Sequence, residues 1–188
     1  MDKTREQTIL SCCEELGAQC AALIPMEEMP FDPHLRAACE ANYCGSYGKN
    51  WACPPGVGAI DEVIARAKEY RCALVFQTVG KLEDSFDFEG MTAAAQRHSA
   101  LAQEIRKKAG AWIEGPVLLL TAGGCDVCER CAKLEEQPCR FPDRMISSLE
   151  AYGVHVARLA KRCNMDYING ENTVTYFGAL LFSGWRER

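Results

Sequence analysis

No stretch of this chain approaches the roughly 18 consecutive apolar residues of a membrane span. The opening Met1-Asp-Lys-Thr-Arg-Glu-Gln has charge without an apolar run behind it, so no secretory leader is expected and the expected location is cytoplasmic. Basic charge is in deficit, with 21 Lys and Arg against 26 Asp and Glu and a formal net charge of -5. No basic stripe gathers to displace phosphate counterions, which argues against nucleic acid as a partner. Histidine is scarce too: His34, His98 and His155 show no paired metal spacing, and His98 shares a helical face with Leu101 and Ile105, as a core-edge residue would. Nucleotide signatures are missing, since Gly56-Val-Gly58 lacks the rest of the dinucleotide fingerprint and no phosphate loop with its lysine occurs. No serine or cysteine triad can be assembled.

What the chain has in excess is cysteine, 12 residues in 188. That is below the density of a small disulfide scaffold and above what a core needs. A reducing compartment disfavours disulfides and turns clustered thiols toward metal binding or redox chemistry. Cys12 or Cys13, Cys72 and Cys163 fall on apolar helix faces or in a buried strand, where cysteine packs as a small hydrophobe. The rest concentrate in two groups.

The downstream group is Cys125, Cys128 and Cys131 at two-residue gaps, followed by Cys139 in Pro138-Cys139-Arg140-Phe141-Pro142. Three thiolates so spaced can fold round one inorganic centre with a more distant cysteine closing it, as in bacterial ferredoxin loops, although the last gap is longer than in that pattern. Zinc competes, because four thiolates satisfy a tetrahedral site, but zinc ligands usually arrive as two separated CxxC pairs. The upstream group, Cys39, Cys44 and Cys53-Pro54-Pro55, has gaps of four and eight, not the spacing of radical SAM enzymes. Its three thiolates leave one position of a cubane open. Either a further cysteine fills it (Cys12, Cys13, Cys20 or one from the downstream group, with Cys53-Pro54 placed to exchange between clusters), or the open iron binds a small molecule as a Lewis acid. Tyr43, Tyr47 and Trp51 could shield a cluster from water. Arg36, Lys49, Arg130, Lys133, Arg140 and Arg144 could offset its charge or dock an acidic partner; of these, Arg36, Lys49 or Arg140 could hold a substrate carboxylate.

Periodicity predicts a helix over about 5–16 ended by Gly17, a short strand at 20–24, and a helix through Ile60, Val63, Ile64 and Ala67. A near-continuous apolar strand follows at 72–79, then a helix over 92–112 and a strand at 116–122 running through Gly123-Gly124 into the downstream cysteines. Ser147 with Glu150 is read as capping a short helix interrupted by Gly153, before a helix through Val156, Leu159, Ala160 and Cys163. The turn Asn169-Gly170 precedes a last strand, 173–182, apolar enough for the centre of a sheet. The expected fold is therefore α/β or α+β, a single domain over 1–188 in which a sheet of about four strands is flanked by helices and both cysteine groups lie in loops.

Cys39-x4-Cys44-x2-Tyr47-Gly48-Lys49-x-Trp51-x-Cys53-Pro54-Pro55, with Gly123-Gly124-Cys125-x2-Cys128-x2-Cys131 and Pro138-Cys139-Arg140-x-Pro142, resembles the cysteine-rich predicted metal-binding proteins of domain of unknown function 2284. The resemblance covers nearly the whole chain. It implies metal binding, and an occurrence largely in anaerobic prokaryotes that suits oxygen-sensitive clusters. The expectation is a cluster protein, with two 4Fe-4S centres on Cys125, Cys128, Cys131 and Cys139 and on Cys39, Cys44 and Cys53, serving a redox partner protein. The alternatives are an enzyme with an open cluster iron and a zinc-stabilised interaction module.

Overall fold

The computed structural model describes residues 3–186. In chain order its regular elements are α1 (Lys3–Glu15), β1 (Cys20–Pro25), α2 (Arg36–Glu40), α3 (Ile60–Lys68), β2 (Cys72–Lys81), α4 (Phe88–Ala109), β3 (Ile113–Glu114), β4 (Leu118–Thr121), β5 (Ser147–Ser148), α5 (Val156–Arg162), β6 (Thr173–Phe182) and β7 (Gly184–Trp185). Five strands form one sheet in the order β1-β2-β6-β4-β5, and β3 with β7 makes a separate two-stranded ribbon. The class is thus the mixed α and β fold that the sequence predicts, with a short fifth strand beside the four expected. Among the described residues no helix is long and apolar enough to cross a membrane.

The central pair is β2 and β6, antiparallel and in unbroken register from Cys72 opposite Phe182 to Lys81 opposite Thr173. Alternation sends Leu74, Phe76, Leu180 and Phe182 to one face, where Ile9 and Cys13 of α1 and Leu101, Ala102 and Ile105 of α4 cover them. Ala73, Val75, Phe177, Ala179 and Leu181 point to the other, under Val63 and Ala67 of α3 and Leu159 and Ala160 of α5. Burial on both faces is why these strands read as continuous apolar runs. Such runs are typical of a parallel sheet, yet every pairing but one is antiparallel; the exception joins β4 to β5.

That exception positions the downstream cysteines. Parallel neighbours need a long crossover, usually a helix, and here the crossover from Thr121 to Ser147 is the cysteine loop itself. The predicted helix at Ser147 is instead this edge strand followed by a 3-10 turn, Glu150–Tyr152. Pairing with Leu120 claims Ser147, and the capping hydroxyl is that of Ser148, which accepts from Ala151 N at 3.0 Å. Local capping signals cannot register a strand partner distant in sequence.

His98 is deeper than a core-edge residue, at 2% exposure, with its ring between Phe76 and Tyr176 and Nδ1 2.8 Å from Thr78 Oγ1. Burial pulls its pKa down from 6.5 to about 4, while the Phe177 backbone draws weakly the other way. The unfolded chain protonates this ring as pH falls through 6.5, whereas the folded chain resists until about 4. Stability contributed by the neutral ring is therefore complete above 6.5 and declines by about 3 kcal/mol toward pH 4. Urea unfolding at about pH 7 and about pH 4.5 will show this decline, reduced in His98→Asn. A second prediction concerns Gly178, opposite Phe76 in the register, where a Cβ would strike the Phe76 ring. Gly178→Ala is expected to cost about 1–3 kcal/mol by overpacking, read from the urea midpoint.

Candidate metal centre

The upstream cysteines sit on a chain of tight turns between α2 and α3. Cys39 lies in the last turn of α2, and Asn42 N closes back on Cys39 O at 3.0 Å. Gly45 N bonds Asn42 O, Tyr47 N bonds Asn42 Oδ1, and Gly48 N reaches Pro54 O at 2.8 Å, which folds the segment between Cys44 and Cys53 onto itself. The Pro54-Pro55 peptide bond is cis. Asn50, a residue sequence reasoning passed over, is buried and directs Oδ1 to Ala52 N at 3.0 Å.

Cys53 is buried, Cys39 half-buried and Cys44 exposed. Burial pushes the Cys53 thiol above its ordinary range, a hydrogen bond with Asn50 opposes this, and the charges of Cys44, Cys39 and Cys125 push it further up. Burial likewise raises Cys39, against the pull of Arg36 and with the push of Cys44 and Glu150. Cys39, Cys44 and Cys53 thus lie within electrostatic reach of one another.

In the downstream loop, Cys125, Cys128, Cys131 and Cys139 line one narrow cavity, walled also by Trp51, Ala52, Val127, Phe141 and Met145. Leu134 N bonds Cys131 O at 3.1 Å at the start of a 3-10 turn, and Gln137 N returns to Ala132 O at 3.0 Å, which turns the chain toward Cys139. Arg140 pins the loop by donating Nη1 to Arg130 O at 2.9 Å and Nη2 to Glu135 Oε2 at 3.0 Å. Its guanidinium is therefore committed to the loop and not offered to a substrate.

The two loops form one surface. Trp51 Nε1 donates to Gln137 O at 2.9 Å, and Lys133 Nζ lies 4.1 Å from the centre of the Trp51 ring. A Cβ at Gly56 would stand 2.9 Å from Asn50 O and 3.2 Å from Cys53 O, so the upstream loop needs glycine there to fold this tightly, and Lys133 of the downstream loop packs over it with Cε 3.1 Å from the same point. At Gly124, next to Cys125, a Cβ would be 3.8 Å from Cys53 Sγ and 3.3 Å from Asn50 Nδ2. Cys53 and Cys125 therefore meet at the seam between the groups.

Other expected ligands are held elsewhere. Cys13 is buried between α1 and the sheet, Cys12 lines a groove between α1 and α4, and Cys20 Sγ donates to Gln77 Oε1 at 3.3 Å on β1. Those sites remove all three from the search for a fourth upstream ligand. Cys139 shares a cavity with the other downstream cysteines, and Cys53 lies within reach of the charges of Cys44, Cys39 and Cys125. Tyr43 is 94% exposed and shields nothing, whereas Trp51 walls the cavity together with Phe141.

Four soft sulfur donors facing one apolar-walled cavity fit the chemistry of a thiolate-bound metal centre. Among the described residues, no three His, Cys, Asp or Glu side chains are drawn close enough to hold a single ion. A zinc ion with four thiolates at about 2.3 Å would bring their sulfurs to within about 4 Å of one another. The Trp51 wall makes a prediction: in metal-loaded protein, Trp51→Ala should speed metal loss to a chelator about tenfold, followed by metal content against time. Loss at the wild-type rate would show that the indole does not guard the cavity.

Neither a search of curated proteins nor one of solved structures finds a match. A family model does, over residues 22–182, from β1 to the end of β6. The chain belongs to that family, described as predicted metal-binding protein (DUF2284).

Proposed function

We propose that the chain is a cytoplasmic iron–sulfur protein that carries two 4Fe-4S clusters and exchanges electrons with a redox partner protein. The observation that carries this reading is the convergence of Cys125, Cys128, Cys131 and Cys139 on a single cavity, at a spacing whose first three members follow a ferredoxin loop. Three cysteines at two-residue gaps suit a polyatomic centre better than one zinc ion, whose ligands usually arrive as two separated CxxC pairs. When bound, such a cluster supplies one-electron chemistry. Cys125, Cys128, Cys131 and Cys139 would hold one, with Trp51, Val127, Phe141 and Met145 keeping water from it. Cys39, Cys44 and Cys53 would hold the other.

A second reading, an enzyme whose upstream centre binds substrate, is favoured by one observation. With Cys12, Cys13 and Cys20 held elsewhere and Cys125 lining the other cavity, the upstream group offers three thiols, of which Cys44 is exposed. Arg36 does not serve this reading as a carboxylate fork, because both its terminal nitrogens are taken up by backbone carbonyls.

Protein purified without oxygen is expected to be brown and to carry about eight irons per chain, two clusters of four. Cys128→Ser should lose about four irons and keep the remainder. A colourless protein with stoichiometric zinc would overturn the redox reading in favour of a zinc-stabilised module. Adding small ligands to the reduced protein separates the first two readings, since a pure carrier keeps its spectrum and an open iron does not.

A further inference from the structure

Arg36 opens α2 one helical turn before Cys39, on the side of the helix that Cys39 shares. Its Nη1 donates to Gly58 O at 3.0 Å and its Nη2 to Ala151 O at 3.2 Å, so the guanidinium ties the far end of the upstream loop to the 3-10 turn after β5. Its third nitrogen, Nε, is buried and has no partner. Among the described residues, the only other buried side-chain nitrogen or oxygen so placed is His98 Nε2, deep in the opposite core. A buried N–H without an acceptor is destabilising, and more so on a charged group.

The other basic residues near the cysteines are committed differently. Arg130 and Arg140 both pair with Glu135, Lys133 lies over Trp51 and Arg144 over Phe141. Lys49 is exposed, with Nζ folded 3.9 Å from where a Gly45 Cβ would be. Half-buried Arg36 alone of the six has a buried donor, Nε, without a partner.

We propose that Arg36 Nε–H donates a hydrogen bond to a sulfur of the centre carried by Cys39, Cys44 and Cys53, with the guanidinium as its fixed counter-charge. This rests on the reading that the upstream group carries a metal centre. Arginine does not lose its proton in a protein, so the charge is constant across pH. N–H···S bonds and nearby positive charge favour the more negative, reduced state of a thiolate-bound centre and raise its potential. Arg36 is thus a positioning residue, in that it anchors the loop through Nη1 and Nη2 and tunes the centre through Nε.

The test compares iron- and sulfide-loaded wild-type protein with Arg36→Gln and Arg36→Lys, and with Arg158→Gln as an exposed control on α5. The expected result is that iron content is kept while one of two reduction potentials moves down. The shift should be larger in Arg36→Gln than in Arg36→Lys, with no change in Arg158→Gln. Loaded Arg36→Gln with both potentials at wild-type values would overturn the proposal. The unaltered protein gives an independent reading should Arg36→Gln not hold iron. Loaded with spin-active cadmium, it should show one slowly exchanging arginine Nε–H resonance coupled to the metal, and that resonance should vanish in Arg36→Lys. Arginine resonances unchanged by cadmium would likewise reject the assignment. A colourless, zinc-containing preparation that still shows the cadmium-coupled resonance would remove the iron–sulfur reading and leave Arg36's role standing.

Discussion

The unbroken antiparallel pairing of β2 with β6 is the constraint on which the rest of the structure depends. Ten residues of each strand lie in register, so the face each side chain takes is set along the whole pair. One face then demands α1 and α4, and the other α3 and α5, because apolar side chains point both ways. β1 and β4 add on either side of this pair, and the end of β4 delivers the chain to the cysteines. Small residues make the pairing possible at its tightest point, where Phe76 lies across Gly178 and leaves no space for a methyl group.

The candidate centre grows out of the one place where the sheet departs from antiparallel pairing. A parallel β4–β5 contact requires the chain to travel out and back, and that journey is made by residues 122–146 with little regular structure. Such a loop has few backbone bonds of its own to hold it. Turns around Cys131, the Arg130–Glu135–Arg140 group and the Trp51 contact from the upstream loop supply its order, and a metal on the four thiols would supply the most. The upstream loop is similarly irregular, braced by Asn50 inside and by Arg36 across its ends. Each loop thus forms part of the other's wall.

Much of the fold was legible in the residues. The stripes in α3, α4 and α5 and the apolar runs of β2 and β6 declared themselves because period and burial are local properties. Strand direction was not legible, since apolar residues on both faces report burial and say nothing of the neighbour's orientation. The helix expected at Ser147 failed for a related reason, as its capping pattern is real but belongs one residue later, after a strand whose partner lies beyond the cysteine loop. Asn50 carried no sequence signal, being an ordinary polar residue in a polar loop until the fold buries it.

By itself the sequence determined that the cysteines fall into two groups along the chain, with gaps of two, two and seven residues in one and four and eight in the other. It also determined the helical and strand runs, through side-chain period. Only the tertiary structure decided that the two groups share a seam at Cys53 and Cys125, that Cys12, Cys13 and Cys20 stand apart from it, and that Arg36 is the basic residue with an unpaired buried donor. These are relations between segments far apart in the chain, and what brings such segments together is the burial of apolar surface on both faces of one sheet.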